Sequence, residues 1–417
     1  MRRPLLVVLL SLACWPAAGA VDDWLDRLDE SLTFSAFDQA RVHFSGLLDL
    51  EGYSFSTPAP ALIETNRDRL FNPRLTLFTD VQWGDHVYAF AQTRLDRGFD
   101  PSGSDARLRA DEYALRVSPW SDGRVRLQIG KFATVVGSWV NRHDSWTNPF
   151  VTAPLLYENL TPVWDSDAPD SPQTLRGWGH LTAASGYTAA AISSDKYLRN
   201  PIIWGPSYAT GVSLSGRLGK WDYAAEMKNV SLASRPENWD LNGEGFQYPT
   251  FSGRVGFRPD PRWNLGVSAS AGPYLLPEAY PTIPASRSIG DYREFLLGQD
   301  IGFAWRHLQL WAEVFETRFQ VPNVGNADVL AYYLEARYQL APQLYGALRW
   351  NQELYGRIND GLGGSAPWGR DICRADLALG YRLSPRMQVK LQLSLQHEEH
   401  ALQDVGYTLA GQFTIRY

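Results

Sequence analysis

The chain has 417 residues and a formal net charge of −6. This acidic balance argues against nucleic-acid partners, which bind to basic surfaces. Cys14 lies within the first twenty residues and Cys373 is the only other cysteine, so a chain that loses its first twenty residues on export has no intramolecular disulfide framework. The length would allow about two or three domains, yet no Pro/Ser-rich linker, charge block or change of composition divides the chain.

The first twenty residues have the pattern of a secretory signal peptide. Arg2 and Arg3 precede an almost unbroken apolar run over 5–13, and residues 18–20, Ala-Gly-Ala, supply the small residues of a cleavage site. The apolar run is shorter than the roughly 20 residues that a membrane-spanning helix needs. We therefore expect 1–20 to be removed on export, so that the mature chain begins near Val21.

Residues 21–40 precede the first predicted strand and carry a helical pattern. Trp24, Leu25, Leu28 and Leu32 recur at helical spacing, with acidic residues between them. This spacing predicts a short helix, either in the periplasm or plugging a lumen, as a segment distinct from 41–417.

Beyond residue 40 the sequence repeatedly alternates between apolar and polar residues. In 386–398 one face of a strand would carry apolar residues only, and the other face would carry polar residues. The apolar residues of that run are Met387, Val389, Leu391, Leu393 and Leu395. Such runs predict an all-β structure in which each strand has one apolar and one polar face.

Eighteen runs of this kind give the predicted strands. Their ranges are 41–53, 73–83, 86–98, 109–119, 124–132, 176–183, 186–195, 208–218, 220–231, 250–258, 262–272, 294–306, 308–319, 329–340, 343–355, 372–383, 386–398 and 405–417. The run over 186–195 alternates least, because it contains three successive alanines, so a count of sixteen is the alternative.

The connections between the predicted strands alternate in length. The short ones, such as 84–85, 341–342 and 384–385, carry Gly, Pro, Asp or Ser, which favour turns. The long ones include 54–72, 133–175, 232–249, 273–293 and 356–371. Transmembrane barrels have short periplasmic turns and long outer loops, whereas a soluble sandwich has no reason to sort its connections in this way.

The last residues alternate up to an aromatic end, with Tyr407, Leu409, Phe413, Ile415 and Tyr417 on one face. This pattern resembles the closing-strand signal of Gram-negative outer-membrane barrels, in which pairing of the last strand with the first removes both sheet edges. The 16 Trp and 20 Tyr suit the interfacial girdles of such a barrel. We therefore predict a transmembrane, antiparallel, up-and-down β-barrel over 41–417, in contact with outer-membrane lipid.

As a pattern of strands and loops, this architecture resembles the general and substrate-selective porins over the whole mature chain. A barrel of 16–18 strands leaves an aqueous channel that side chains alone do not fill. The resemblance implies a passive diffusion channel for small hydrophilic solutes or ions in the Gram-negative outer membrane, assembled as a homotrimer. It also implies that the third outer loop, 133–175, folds into the lumen and narrows it.

Charged and aromatic residues of 133–175 are the candidates for that constriction. They are Trp139, Arg142, His143, Asp144, Trp146, Glu158 and Asp165. The three consecutive residues 142–144 offer both charges in one place, and the indole rings offer flat surfaces to a sugar or an aromatic solute. The alternative is a loop that lies over the barrel mouth and packs on its own aromatic residues.

Charged residues also recur on the polar faces of the predicted strands. Because a charge facing lipid costs roughly 2–4 kcal/mol at the bilayer midplane, we expect these residues to face the lumen. The lumen candidates are Arg94, Arg116, Arg124, Arg126, Arg349, Arg374, Glu335, Glu353 and Asp376. Either they satisfy one another as ion pairs, or they form a basic wall and an acidic wall that orient solutes.

No motif in the sequence predicts an enzyme, a metal site or a cofactor. The run 397–400, His-Glu-Glu-His, lacks the His-Glu-x-x-His zinc spacing, and neither a nucleophile elbow nor a phosphate loop occurs. Three other functions are the alternatives. The chain would sheathe a partner protein such as an electron-transfer cytochrome, carry an active site at the barrel rim, or be a soluble β-rich periplasmic protein.

Overall fold

A computed structural model describes residues 18–36, 39–56, 63, 68–97, 106–179, 199–237, 244–399 and 405–417. These residues form the helices α1 (Ala18–Ser31) and α2 (Pro172–Gly179). The strands are β1 (Thr33–Ala36), β2 (Ala40–Phe55), β3 (Arg69–Trp83), β4 (Val87–Asp96), β5 (Arg107–Val117), β6 (Arg126–Phe132), β7 (Leu160–Trp164), β8 (Arg199–Pro201), β9 (Ala209–Leu218), β10 (Trp221–Lys228), β11 (Thr250–Phe257), β12 (Trp263–Pro273), β13 (Arg293–Trp305), β14 (Leu308–Val321), β15 (Gly325–Gln339), β16 (Leu344–Tyr355), β17 (Arg357–Asn359), β18 (Ser365–Pro367), β19 (Ile372–Arg382), β20 (Met387–Glu398) and β21 (Gly406–Arg416).

Sixteen of these strands form one closed antiparallel barrel. Each barrel strand pairs with the next one along the chain, and β21 pairs with β2 from Leu47↔Arg416 to Phe55↔Thr408. Closure leaves no unpaired barrel edge, which a β-structure in lipid requires. The short strand β1 pairs with the first residues of β2, and two small hairpins, β7–β8 and β17–β18, lie in the long connections.

The barrel has the lower of the two strand counts that the sequence left open. Strand β6 pairs directly with β9 from Arg126↔Ser215 to Phe132↔Ala209, so the described barrel wall passes from 126–132 to 209–218. Of the predicted strand 176–183, the structure describes only 176–179. Pro172–Gly179 is helical instead and buries Leu175 completely, whereas 186–195 lies outside the described residues. The connection after β6 therefore runs over 133–208 rather than 133–175.

The barrel wall carries apolar residues on its outer face and polar residues on its inner face, which is the reverse of a soluble protein. On β16, outward-facing Leu348 is 61% exposed, while its inward-facing neighbours Arg349 and Asn351 are 2% and 0% exposed. On β19, Leu377 is exposed and Asp376 is buried in the same way. An apolar outer face and a polar inner face suit a wall that stands between lipid and a polar interior.

Aromatic side chains mark the two ends of the apolar outer face. At the end with short turns, the exposed outward-facing rings are Trp83, Trp221, Trp263, Trp305, Tyr338 and Tyr381. At the opposite end they are Phe71, Phe251, Phe295 and Tyr407. Such belts place amphipathic rings at the level of the lipid headgroups.

The connections are sorted by length, as predicted. At one end, the short-turn end, the strands are joined by 84–86, 118–125, 219–220, 258–262, 306–307, 340–343 and 383–386. At the other end the longest connection is 133–208, with 76 residues. The connection 322–324, with three residues, is an exception at that end. Gly84 and Gly219 have φ of +57° and +62°, which explains why tight turns at these positions use glycine.

Helix α1 is attached to the short-turn end. Arg386, in the turn between β19 and β20, contacts Asp26 at 2.6 Å and Asp29 at 3.1 Å. Asp29 also bonds to His43 of β2 at 2.9 Å, and this hydrogen bond with the Arg386 charge lowers the pKa of Asp29. The acidic face of α1 therefore covers one turn of the barrel rim.

Within the described residues, neither helix is long and apolar enough to cross a membrane.

Candidate functional site

The described part of the connection after β6 contacts the inner face of the barrel. We call its described residues, 133–179 and 199–208, the inner loop. Its backbone and side chains bond to inward-facing side chains of β14, β15, β16, β19 and β20. The segment contains many buried apolar residues, among them Val136, Leu156, Val163 and Ile203. It therefore has its own small core, which rests on one side of the lumen.

The carboxylate of Glu313 on β14 fastens the beginning of the inner loop. It accepts hydrogen bonds from the Ser138 hydroxyl at 2.8 Å, the Trp139 amide at 2.8 Å and the Tyr157 hydroxyl at 2.6 Å, and also from the Ser138 amide. Gly137 has a φ of +75°, and a Cβ there would lie 2.5 Å from the Tyr157 hydroxyl. Glycine thus allows the backbone to approach this buried carboxylate.

A buried ion-pair network holds the middle of the inner loop. Asp376 lies between two arginines, 2.8 Å from Nε of Arg349 and 3.0 Å from Nε of Arg374. Arg349 donates to the carbonyls of Thr152 and Ala153, and Arg374 donates to Ala153 and to the carboxylate of Glu158. Buried charges are tolerated when each is paired and hydrogen bonded, as here.

The neighbouring strand β20 extends this attachment. Nζ of Lys390 donates to the carbonyls of Ser145, Asn148 and Phe150 at 2.7, 3.0 and 3.2 Å. The side-chain carbonyl of Gln392 accepts from the amides of Val151 and Thr152. The backbone carbonyls and amides of the inner loop therefore form hydrogen bonds with side chains of the wall.

Between the inner loop and the opposite wall lies a cavity of about 130 Å³. Its wall side is formed by β2–β5 and β21, and its other side by the inner loop. The charged residues that line it are Asp49, Arg74, Arg94, Asp96, Arg109, Asp111, Asp144 and Glu158. Trp139, His143, Trp204 and Tyr208 add aromatic surface.

The three arginines of this cavity each contact a carboxylate on the same or a neighbouring strand. Arg74 is 2.5 Å from Glu51, Arg94 is 2.9 Å from Asp111, and Arg109 is 3.2 Å from Asp96. Arg74 and Arg94 keep 22% and 17% of their side chains exposed, so both stay accessible to a solute in the cavity. The cavity is thus polar and lined by ion pairs.

A β-bulge shapes the wall beside Arg94. The register between β4 and β5 shifts so that Gln92 faces Glu112 while Thr93 faces Ala110. Asp111 is the extra residue, and a bulge changes which side chains point inward on either side of it. Arg109 and Asp111 therefore share the inner face on one side of the bulge with Glu112 and Arg116 on the other.

Several solved structures have the same architecture. One is the outer membrane channel DcaP of Acinetobacter baumannii, with a TM-score of 0.56 and 9% identity over 92% of this chain and 99% of that chain. The chain has the fold of the outer-membrane porins. The anion-selective porin from Comamonas acidovorans gives a TM-score of 0.55 at 10% identity, covering 91% and 100% of the two chains. OmpF of Salmonella typhi, in complex with daunomycin, gives 0.54 at 11%, covering 92% and 99%.

Identities of this size establish the porin fold alone. No protein-family model and no curated protein matches the sequence. The apolar outer face, the aromatic belts and the closed barrel place this porin-like chain in the outer membrane.

The cavity gathers four of the seven predicted constriction residues, namely Trp139, His143, Asp144 and Glu158. The other three lie elsewhere. Arg142 turns to the β15 wall, where it pairs with Glu335 at 2.5 Å. Trp146 lies nearer the short-turn end, and Asp165 lies beside Leu276 in the long connection between β12 and β13.

The predicted lumen charges occupy three different places. Arg94 lines the cavity, and Glu353 bonds to Asn159 of the inner loop at 2.6 Å. Four lie in or beside the network under the inner loop, namely Arg349, Arg374, Glu335 and Asp376. The remaining three lie towards the short-turn end, namely Arg116, Arg124 and Arg126.

Arg74, Arg109 and Tyr208 line the cavity but are not among the predicted residues. Arg74 shares the polar face of Thr76, Phe78 and Asp80, so extending that alternation by two positions would have found it. Arg109 has the opposite parity to Arg116 because of the bulge, which no sequence signal marks. Tyr208 lies far from the other candidates in the sequence, and only the closed barrel brings it beside His143.

His143 is held as a neutral hydrogen-bonding group. Its ring nitrogens bond to the Val140 carbonyl at 2.6 Å and to the Tyr208 hydroxyl at 2.7 Å. Burial lowers the pKa of His143, because the charged imidazolium is poorly solvated there. This candidate therefore contributes shape and hydrogen bonding to the cavity rather than a positive charge at neutral pH.

Asp165 gives the inner loop a pH dependence. Burial raises the pKa of Asp165 from 3.8 to about 7, against the lowering effect of Arg235. The folded loop thus binds this proton more tightly than the unfolded chain does. The contribution of this bound proton to the stability of the folded loop is full below pH 3.8 and declines as the pH rises towards 7.

We predict that Asp165→Asn removes this decline and protects the loop at pH 8. The Leu276 amide, which donates to the Asp165 carbonyl at 2.7 Å, reports on it through its hydrogen-exchange protection factor. The matched control is Asp167→Asn in the same segment, which should keep the wild-type pH dependence. Equal protection of wild type and Asp165→Asn at pH 8 would refute the prediction.

Proposed function

We propose that this barrel is a passive diffusion channel for small hydrophilic solutes or ions, with its narrowest part at the cavity beside the inner loop. The observation that carries the proposal is the position of the inner loop, which bonds to β14–β16, β19 and β20 and borders a polar cavity along β2–β5. A wide barrel narrowed in this way selects solutes by size and by the groups that line the gap.

Selectivity in this proposal comes from ion pairs on neighbouring strands rather than from two opposed charged walls. Arg74 and Arg94 present partly exposed guanidinium groups beside buried carboxylates. A passing anion meets the exposed guanidinium edges first, because Glu51 and Asp111 are almost completely covered. We therefore expect a preference for anions despite the acidic net charge of the chain.

Replacing Arg94 with glutamine should move the selectivity of the channel towards cations. One unit charge at about 8 Å in water is worth roughly 0.5 kcal/mol, which corresponds to about a twofold change in permeability ratio. The measurement is the reversal potential of single channels in a planar bilayer under a salt gradient. The matched control is Arg318→Gln, because Arg318 pairs with Asp328 on the outer face and does not line the cavity beside the inner loop.

Two results would contradict the proposal. Silence from folded, inserted protein would exclude a diffusion channel. An equal change of reversal potential in Arg94→Gln and Arg318→Gln would show that the cavity does not set selectivity.

The alternative functions find less support in the described residues. A barrel that sheathes a partner protein needs a free lumen, whereas here the inner loop fills one side of it. Ser138, His143 and Asp144 do not form a hydrolytic triad, because each is bonded to a different group. Ser138 donates to Glu313, His143 bonds to Tyr208, and Asp144 accepts from its own turn.

The resemblance to porins also leads us to propose a homotrimer. The chain has a mass of 46.9 kDa. Light scattering of the protein in detergent, corrected for bound detergent, should give about three times that mass, and a single-chain mass would refute the trimer.

A further inference from the structure

Three arginines at the short-turn end have only uncharged partners within the described part of the chain. Arg337 on β15 donates to the side-chain carbonyls of Gln309 and Gln339, both at 3.0 Å. Arg416 on β21 donates to the Pro385 carbonyl at 3.2 Å, and Arg382 on β19 has its guanidinium over an indole ring. All three lie on inward-facing positions of their strands.

Two of these guanidinium groups meet at Trp146 of the inner loop. The central carbon of Arg416 is 4.3 Å from the centre of the indole ring, and that of Arg382 is 5.5 Å away. The central carbons of the two guanidinium groups are therefore less than about 10 Å apart. Stacking uses the flat face of a guanidinium and leaves the N–H groups of its edge free to donate.

Other arginines of the same rim are neutralised. Arg386 contacts Asp26 and Asp29 of α1, Arg262 contacts Asp260 at 3.0 Å, and Arg124 contacts Asp122 at 2.7 Å. Arg382 and Arg416 have no such carboxylate partner among the described residues. Arg416 is nevertheless next to Arg386, because its amide donates to the Arg386 carbonyl at 2.9 Å. Arg382 and Arg416 thus lie beside the same ring without an ion pair to a carboxylate in the described residues.

The carboxylate closest in sequence to Trp146 is occupied by its own turn. Asp144 accepts from the amides of Trp146 and Thr147, both at 2.8 Å, and from the Thr147 hydroxyl at 2.5 Å. Asp144 therefore helps to position the Trp146 indole. In the described residues it forms no ion pair with Arg382 or Arg416. Two like charges held together on one ring repel each other unless an anion lies between or beside them.

We propose that Arg382 and Arg416, stacked on Trp146, form an oxyanion-binding site inside the short-turn mouth. Its ligand is a small solute that carries a phosphate or a carboxylate group, because a guanidinium edge matches two oxygens of such groups. Arg337 adds positive charge on the same stretch of wall. The site is separate from the cavity beside β2–β5, and it would hold a solute at the end of its passage.

The test measures binding without relying on conduction. Inorganic phosphate is titrated calorimetrically into the full-length protein in detergent at low ionic strength. Arg382→Gln combined with Arg416→Gln should weaken phosphate binding about tenfold or more, as expected from the loss of charge-assisted hydrogen bonds. Lysine at both positions should give an intermediate affinity, since it keeps the charge but loses the planar pair of donors.

The control is Arg124→Gln combined with Arg262→Gln, which removes two paired arginines from the same rim. Their loss should change the affinity by less than about twofold, because exposed ion pairs contribute little. Unchanged binding in the Arg382/Arg416 glutamine variant, no binding by the wild type, or an equal loss in the control would each overturn the site. A protein that binds phosphate but does not conduct would refute the channel proposal alone.

Discussion

Replacing Glu313 with glutamine should loosen the inner loop and give a larger, noisier channel current. The Glu313 carboxylate is completely buried and accepts hydrogen bonds from four donors of the inner loop. A glutamine offers one acceptor oxygen and turns an NH₂ group towards those donors. Hydrogen bonds to a charged group are worth about 1.5–3 kcal/mol each, so the loop would lose several kcal/mol of anchoring.

Single-channel recording shows the change directly, and hydrogen exchange at the amides of Ser138 and Trp139 locates it. Glu316→Gln is the matched control, because Glu316 lies on the same strand but is exposed on the outer face. That variant should retain wild-type conductance and protection. If Glu313→Gln also left both unchanged, the inner loop would have to be held by its other contacts alone.

Asp376→Asn should produce the largest loss of stability among single charge-neutralising changes. Asp376 is the shared partner of Arg349 and Arg374, whose side chains are 0% and 3% exposed. Removing one member of a buried ion-pair network leaves uncompensated charge and typically costs about 3–5 kcal/mol. Urea-induced unfolding in lipid or detergent, followed by the change in gel mobility of the barrel, gives the free energy of unfolding.

The exposed pair of Arg318 and Asp328 provides the comparison. Its side chains are 50% and 52% exposed at a separation of 2.6 Å, and such pairs contribute about 0–1 kcal/mol. Asp328→Asn should therefore shift the urea midpoint only slightly. Similar midpoints for the two variants would mean that the interior near Asp376 is well solvated and that the network does not stabilise the barrel.

The sequence predicts the barrel well because the signal is repeated in every strand. Leu348 and Arg349 fall on opposite faces by simple alternation, and the structure exposes the first and buries the second. The sorted turns follow from local chemistry in the same way. Alternation gives a wrong prediction at 176–179, because these residues belong to helix α2. That helix buries Leu175 within the inner loop.

The candidate site is harder to predict because its contacts are long range. Ser138 and Glu313 are 175 positions apart, and no local sequence pattern at either residue predicts its contact with the other. The bulge at Asp111 reverses the parity of Arg109 with a single extra residue. Residue type and loop length make His143 and Asp144 candidates, but they do not determine which wall Arg142 faces.

The attachment of the inner loop has a consequence for the order of assembly. The anchors from Glu313 on β14 to Lys390 on β20 follow the inner loop in the chain by more than a hundred residues, whereas Glu112 on β5 and Glu226 on β10 bond only to its first residues. Most of the inner loop therefore acquires its wall contacts only when the C-terminal half of the barrel exists. Because β21 must also pair with β2, the lumen acquires its final width only after the last strand has been inserted.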